Sequence, residues 1–260
     1  MVAKRIGLLA LVLTMSLGSK GFAADDGLEK GTPKLQSAGP MTFGPDGILF
    51  LGDPKAATIF AIDTDDTSGD AANVSVNVAK INDKIASMLG TKADQVQIED
   101  LAVNPASGNV YLSVSRGRGP QAKPVLLKVD ASGNLSEVSL KGVRFAKAEL
   151  PNAPEDKEVG QGRRRQNNRT MSITDMSYID GRIVVAGLSN EEFASNLRAI
   201  EFPFSEVDAG ASIEIFHGNH GRLETRSPIR TFVPVTLNGK PEIVAAYTCT
   251  PLVRVPLAQL

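Results

Sequence analysis

From residue 38 onward, short apolar runs alternate with turns rich in glycine, proline and aspartate, a pattern that predicts antiparallel strands joined tightly. Pro40-Met-Thr-Phe43 leads through Gly44-Pro-Asp-Gly47 to Ile48-Leu-Phe-Leu51, and after a loop at 52–55 comes Thr58-Ile-Phe-Ala-Ile-Asp63. The phrase returns as 98–103, 110–114, 125–129 and 135–140, and again as 173–178, 182–186, 197–202 and 212–216. A fourth copy runs through 230–235, Asn238-Gly239, 243–247 and 252–255. First strands recur at an interval of about 55–75 residues, the scale of sheets that must stack on one another to bury both faces.

This pattern predicts an all-β protein: a β-propeller of four-stranded antiparallel blades, about four of them, spanning 38–260. A β-sandwich and a pair of small β domains are the competing architectures, and the recurrent Asp/Asn-Gly turn between first and second strands favours the propeller. Two insertions interrupt the array. In 78–90, Ile81, Ile85 and Met88/Leu89 lie at helical spacing and Gly90 follows as a stop, so this segment predicts an amphipathic helix packed against a blade edge. Residues 141–170 carry Pro, Gly, Glu and Arg without periodicity and read as a long surface loop. The fourth copy lacks its last strand. Either Pro33–Ser37, in the polar segment 24–37, supplies it and closes the ring, or the chain is a shortened form of a larger propeller.

Residues 1–23 carry Lys4 and Arg5, then the apolar run Ile6–Leu17, then Gly21-Phe-Ala23, the three-part pattern of a cleaved signal peptide with Ala24 as the new N-terminus. A run of about twelve residues falls short of the roughly 20 that span a bilayer, and no later stretch is long enough to be a transmembrane helix. The expected location is secreted or periplasmic. Removing the signal leaves 25 basic against 29 acidic residues, a net charge of −4. That balance argues against nucleic acid as a partner, since such binding needs clustered Lys and Arg. The lone Cys249 has no partner within the chain for the disulfide that export favours.

Three phrases carry a family resemblance: Asp100-Leu-Ala-Val-Asn-Pro with Val110-Tyr-Leu-Ser-Val-Ser-Arg-Gly117, Val185-Ala-Gly-Leu-Ser-Asn-Glu-Glu-Phe-Ala-Ser195, and Tyr247-Thr-Cys-Thr-Pro-Leu-Val253. They resemble an uncharacterised family of secreted bacterial β-propeller proteins with WD40-like repeats. The likeness covers most of 38–258. It implies a propeller and export and supplies no activity; longer members continue past Leu260, which favours the shortened propeller.

In an antiparallel meander the start of the first strand and the end of the second share one edge of the sheet, so the loop leading into each blade and the loop between its second and third strands share one face of the disc. That rule gathers Asp53, Asp100, Arg116, Asp175, Asn190, Glu191, Glu192, Cys249 and the segment His217–Arg226 on a common rim. His217-x-x-His220 with Cys249 and Glu224 offers imidazole and thiolate ligands suited to copper or zinc. The same histidine spacing in a Gly-rich turn also suits a plain hydrogen-bonded loop. Asp100 and Asp175 occupy one register in successive blades. They suit calcium or acid/base work, or each accepts backbone N–H bonds at a strand start. Arg222, Arg226 and Arg116, with Asn190 and Glu192, form a candidate ligand-binding set. Two functions follow as expectations: a binding or scaffold module that holds a small ligand or a protein on this face, or a metal-dependent oxidoreductase or hydrolase with His217, His220 and Cys249 as ligands and Glu224 or Asp175 as base.

Overall fold

A computed structural model describes residues 26–162, 165–190, 194–212, 215–218, 221–224, 227–248 and 252–260. Strands form where the sequence alternates apolar residues between turns. The chain begins with β1 (Glu29–Gly31), β2 (Met41–Phe43), β3 (Ile48–Asp53) and β4 (Thr58–Asp63), followed by helix α1 (Ile81–Met88). The meander β5 (Val96–Val103), β6 (Val110–Arg116), β7 (Lys123–Val129) and β8 (Leu135–Glu137) comes next, then β9 (Val143–Glu149) and the small hairpin β10 (Glu158–Val159) and β11 (Gln166–Asn167). A second meander holds β12 (Asp175–Ile179), β13 (Arg182–Leu188), β14 (Ser195–Glu201) and β15 (Ala211–Ser212). The hairpin β16 (Ile215–His217) and β17 (Arg222–Glu224) precedes β18 (Ile229–Leu237), β19 (Lys240–Tyr247) and β20 (Val253–Pro256). Asp180-Gly181 and Asn238-Gly239 each place two successive residues at positive φ, the mirror-image turn whose twist matches the flanking strands.

Four antiparallel sheets form the blades of a β-propeller. The first blade has the order β1-β9-β4-β3-β2, the second β5-β6-β7-β8, the third β12-β13-β14-β15 and the fourth β18-β19-β20. Their inner strands touch in the order β5, β2, β12, β18, so the second blade in sequence flanks the first on the side away from the third. The chain leaves the first blade, builds the second, returns as β9 to the outer edge of the first, and only then crosses to the third.

Each junction between neighbouring blades is a separate apolar core. Leu49, Leu51 and Phe60 of the first blade meet Ala102, Tyr111 and Leu126 of the second. The opposite face of the first blade, Phe50, Ile59 and Ala61, meets Met176, Ile183 and Val185 of the third. Val184, Ala186 and Leu197 of the third meet Phe232, Ile243 and Ala245 of the fourth. Period-two alternation explains this division: neighbouring residues such as Leu49 and Phe50 face opposite ways and seed different cores. Among the described residues no buried cluster joins the fourth blade to the second. The outer face of the second blade is covered instead by α1, whose Ile85, Ala86 and Leu89 pack on Leu112, Val114, Leu127 and Val129.

The helix falls inside the predicted segment and ends as its glycine requires. Gly90 adopts a left-handed φ of 61°, and the N–H groups of Gly90 and Thr91 close on the carbonyls of Ser87 and Ala86. It packs on a blade face rather than a blade edge.

Three expectations need correction. Residues 141–170 are not one loop: β9 pairs with β4 from Thr58↔Glu149 to Ile62↔Phe145, and β10 with β11 form a hairpin. Pro33–Ser37 does not complete the fourth blade; the N-terminal strand β1 pairs with β9 in the first blade, and among the described residues the fourth blade has three strands. The expected strand 212–216 is divided, with Ala211–Ser212 ending the third blade and Ile215–His217 pairing with Arg222–Glu224.

Candidate functional site

The face defined by the register rule carries a cleft of about 880 Å³. Its walls are the 36–40 segment leading into β2, the β3–β4 loop at Pro54-Lys55, the β6–β7 loop at 119–124, the 170–174 segment leading into β12, and Arg230 at the start of β18. The β10–β11 hairpin overhangs it through 156–158 and 165–167. Lead-in segments and second-to-third-strand loops from several blades thus converge, as the topology dictates.

Buried polar groups hold these walls. Asp53 is fully buried at the end of β3, and its carboxylate accepts from Gln36 N (2.6 Å), Ser37 N (3.0 Å), Ser37 Oγ (2.6 Å) and Ala56 N (3.0 Å). It therefore ties the lead-in segment to the β3–β4 loop. Ser113 Oγ donates to Gly39 O at 2.7 Å, Lys55 Nζ to Pro120 O at 2.9 Å and Ser172 Oγ to Pro54 O at 2.8 Å. Such bonds to loop carbonyls keep irregular backbone in one conformation.

The cleft presents both signs of charge over a partly apolar floor. Lys55, Lys157, Arg165 and Arg230 face Glu99, Asp156 and Glu158, while prolines 40, 54, 120 and 124 with Ile173 supply apolar surface. Some charges are engaged: Arg165 lies 3.4 Å from Glu158, and Asn167 donates to Asp156 at 2.6 Å. Arg230 instead contacts Thr248 Oγ1 at 2.9 Å and Met171 Sδ at 3.7 Å, so among the described residues its guanidinium has no carboxylate partner.

The two register-matched aspartates bridge inner strands. Asp100 accepts from Met41 N at 2.7 Å and Leu101 N at 2.7 Å, linking the second blade to the first. Asp175 accepts from Thr231 Oγ1 and Phe232 N at 2.7 Å each and from Met176 N at 2.8 Å, linking the third blade to the fourth. Between them, Tyr178 N donates to Thr42 Oγ1 at 3.2 Å and links the third blade to the first. Burial pushes the Asp175 carboxyl above its ordinary range, against the opposing hydrogen bonds. Burial does the same at Asp100, where the bonds from Met41 and Leu101 oppose it and the Asp175 charge adds to the rise.

The sequence reading missed a third aspartate, Asp66. Burial works to raise its carboxyl, but donation from Asn109, Tyr111 and Ser107 outweighs this and holds it below the usual range. It pins the 64–73 segment onto the β5–β6 turn. No local motif announces it, because its partners lie about forty residues away.

The remaining predicted residues fare unevenly. Arg116 is exposed and pairs with Val96, which packs under α1, so strand alternation turns it to the far face; its neighbour Ser115 lines the cleft. Asn190 is exposed and donates its backbone N–H to Asn152 O at 2.7 Å, outside the cleft lining. His217 and Arg222 are paired positions in the β16–β17 hairpin, and Glu224 pairs with Ile215. His220, Glu191, Glu192, Arg226 and Cys249 lie outside the described residues, as does the proposed signal peptide. Among the described residues no group of three or more His, Cys, Asp and Glu side chains is gathered for a metal ion. No described helix is long and apolar enough to cross a membrane.

No known family profile matches the chain, and no curated protein matches it. Among solved structures it is similar to streptogramin B lyase, with 12% identity over 88% of this chain and 72% of that one and a TM-score of 0.24. It is also similar to the PQQ-bound form of aldose sugar dehydrogenase from Streptomyces coelicolor, with 14% identity over 83% of this chain and 90% of that one and a TM-score of 0.24. At those values neither protein's activity bears on this chain, whose established description is a β-propeller.

Proposed function

We propose that the protein is an exported binding module that holds an extended peptide segment of a partner in the cleft between Gln36–Pro40 and the β10–β11 hairpin. The observation that carries this reading is the lining itself. A proline-rich apolar floor accommodates side chains, and charges of both signs suit a chain with its own mixed charges. A volume of about 880 Å³ lies in the range of ligand-sized sites. Hydrogen-bonded walls support the same reading, because a site that is already shaped loses less free energy to ordering when it binds.

Export belongs to the proposal and rests on the pattern of residues 1–23; a mature protein whose N-terminal residue is Ala24 would match it. A metal-dependent reaction at His217, His220 and Cys249 remains the other reading, and it rests on residue types alone. The test of the cleft is an immobilised array of random decapeptides probed with the wild-type protein and with Ala122→Trp, which fills the cleft from its exposed β6–β7 loop. The expected result is a set of peptides bound by the wild type and lost in the variant. Identical binding by both proteins, or none by either, would sink the reading.

A further inference from the structure

The large apolar side chains left exposed among the described residues are Met88, Leu101, Val103, Phe216, Val233 and Leu252. All but Phe216 lie on two surfaces, the outward faces of the second and fourth blades. On the second blade, Leu101 and Val103 pair with Leu112 and Val110, on the side that α1 covers. The helix packs on Val96 of the inner strand and on the middle and third strands, yet leaves Leu101 and Val103 of the inner strand 52% exposed each, with Met88 exposed on the helix itself. On the fourth blade, Phe232, Ile243, Ala245 and Val255 point into the core shared with the third blade. Alternation turns Val233, Val244 and Arg254 the other way, in one cross-strand row, and Leu252 immediately precedes the outer strand. Val233 is 55% exposed and Leu252 69%.

Each of the two faces thus carries uncovered apolar side chains: Leu101, Val103 and Met88 on one, Val233 and Leu252 on the other. Among the described residues every other blade face is covered by an apolar sheet face, so these two are surfaces of a kind that this fold buries elsewhere.

We propose that two copies of the chain pair reciprocally, the fourth blade of each packing on the α1 side of the second blade of the other. The pair continues the blade order of one copy into that of the next and closes it under two-fold symmetry. Eight blades result, within the range of about four to eight that propellers use. Two equal interfaces form at once, which closes the assembly and halts further growth. The proposal is independent of the cleft, which opens on the loop-bearing face.

Light scattering on the purified protein tests it with charge-bearing variants at exposed positions. The wild type should have the mass of two copies. Val233→Lys and Leu101→Asp should each raise the dissociation constant at least tenfold while thermal unfolding of the single chain stays unchanged, since both side chains are more than half exposed. An equimolar mixture of the two variants should restore the dimer, because one of its interfaces is wild type and the other sets Lys against Asp. A wild-type monomer at every concentration, oligomers that keep growing, a Leu101→Asp protein as dimeric as the wild type, or a mixture that stays monomeric would each overturn the proposal.

Discussion

The carboxylate of Asp175 on β12 accepts the backbone N–H of Phe232 on β18 at 2.7 Å, joining the inner strands of the third and fourth blades across a junction that no backbone ladder spans. Phe232 is also a member of the core at that junction, so the bond fixes the strand where its side chain is buried. Asp175→Ala removes the acceptor and leaves Phe232 N–H unpaired, which costs about 1–3 kcal/mol. Urea unfolding followed by circular dichroism should show the midpoint falling accordingly. An unchanged midpoint would mean that the junction does not need the bond.

The acidic groups pull stability in opposite directions with pH. Burial raises Asp175, so the folded state keeps a proton that the unfolded state releases near pH 3.9. Its stabilising contribution is complete below that value and is lost as pH rises through the folded pKa. Asp66 is lowered, so its contribution is present above about 3.9 and is lost as pH falls through the folded pKa. Relative to Asp175→Asn, the wild type should therefore lose stability as pH rises from acid toward neutrality. Relative to Asp66→Asn it should lose stability on acidification. Denaturant titrations at a series of pH values check both slopes, and parallel curves for wild type and variant would contradict the assignment.

Gly187 marks a close approach of two backbones. A Cβ there would lie 2.0 Å from the carbonyl oxygen of Ser172, within the β12 lead-in that forms one wall of the cleft. Gly187→Ala must displace that segment, at a cost of about 1–3 kcal/mol or more. The expected thermal midpoint is several degrees lower, and a variant as stable as the wild type would mean that the two segments do not meet.

Blade architecture was legible where turns are marked by local chemistry. Asp180-Gly181 and Asn238-Gly239 are the hairpin turns that their sequences suggest. The return of β9 to the first blade was not legible, although Val143-Arg-Phe-Ala-Lys-Ala-Glu149 is partly alternating, because pairing over 83 to 91 residues leaves no local signature. Its charged residues and the prolines that follow gave the segment the composition of a loop. The register rule brings the loops to one face, but Arg116 and Asn190, proposed for it, lie outside the cleft lining. The rule places a loop on a face without saying which of two successive side chains turns inward, and at Ser115-Arg116 the less conspicuous one does.

Elemental analysis separates binding from metal chemistry. A binding module should carry no stoichiometric copper, zinc or iron. Stoichiometric metal in the wild type that disappears in His217→Ala would overturn the binding reading in favour of an enzyme.

The most direct test of the cleft is a map of amide shifts in the nitrogen-15 spectrum as a peptide selected from the array is added. The largest changes should fall on Ser37–Gly39, Lys55, Ser115, Gly119–Ala122 and Thr170–Thr174. Changes confined to the opposite face, around Asp66, Asn109 and the Asp180-Gly181 turn, would contradict the account.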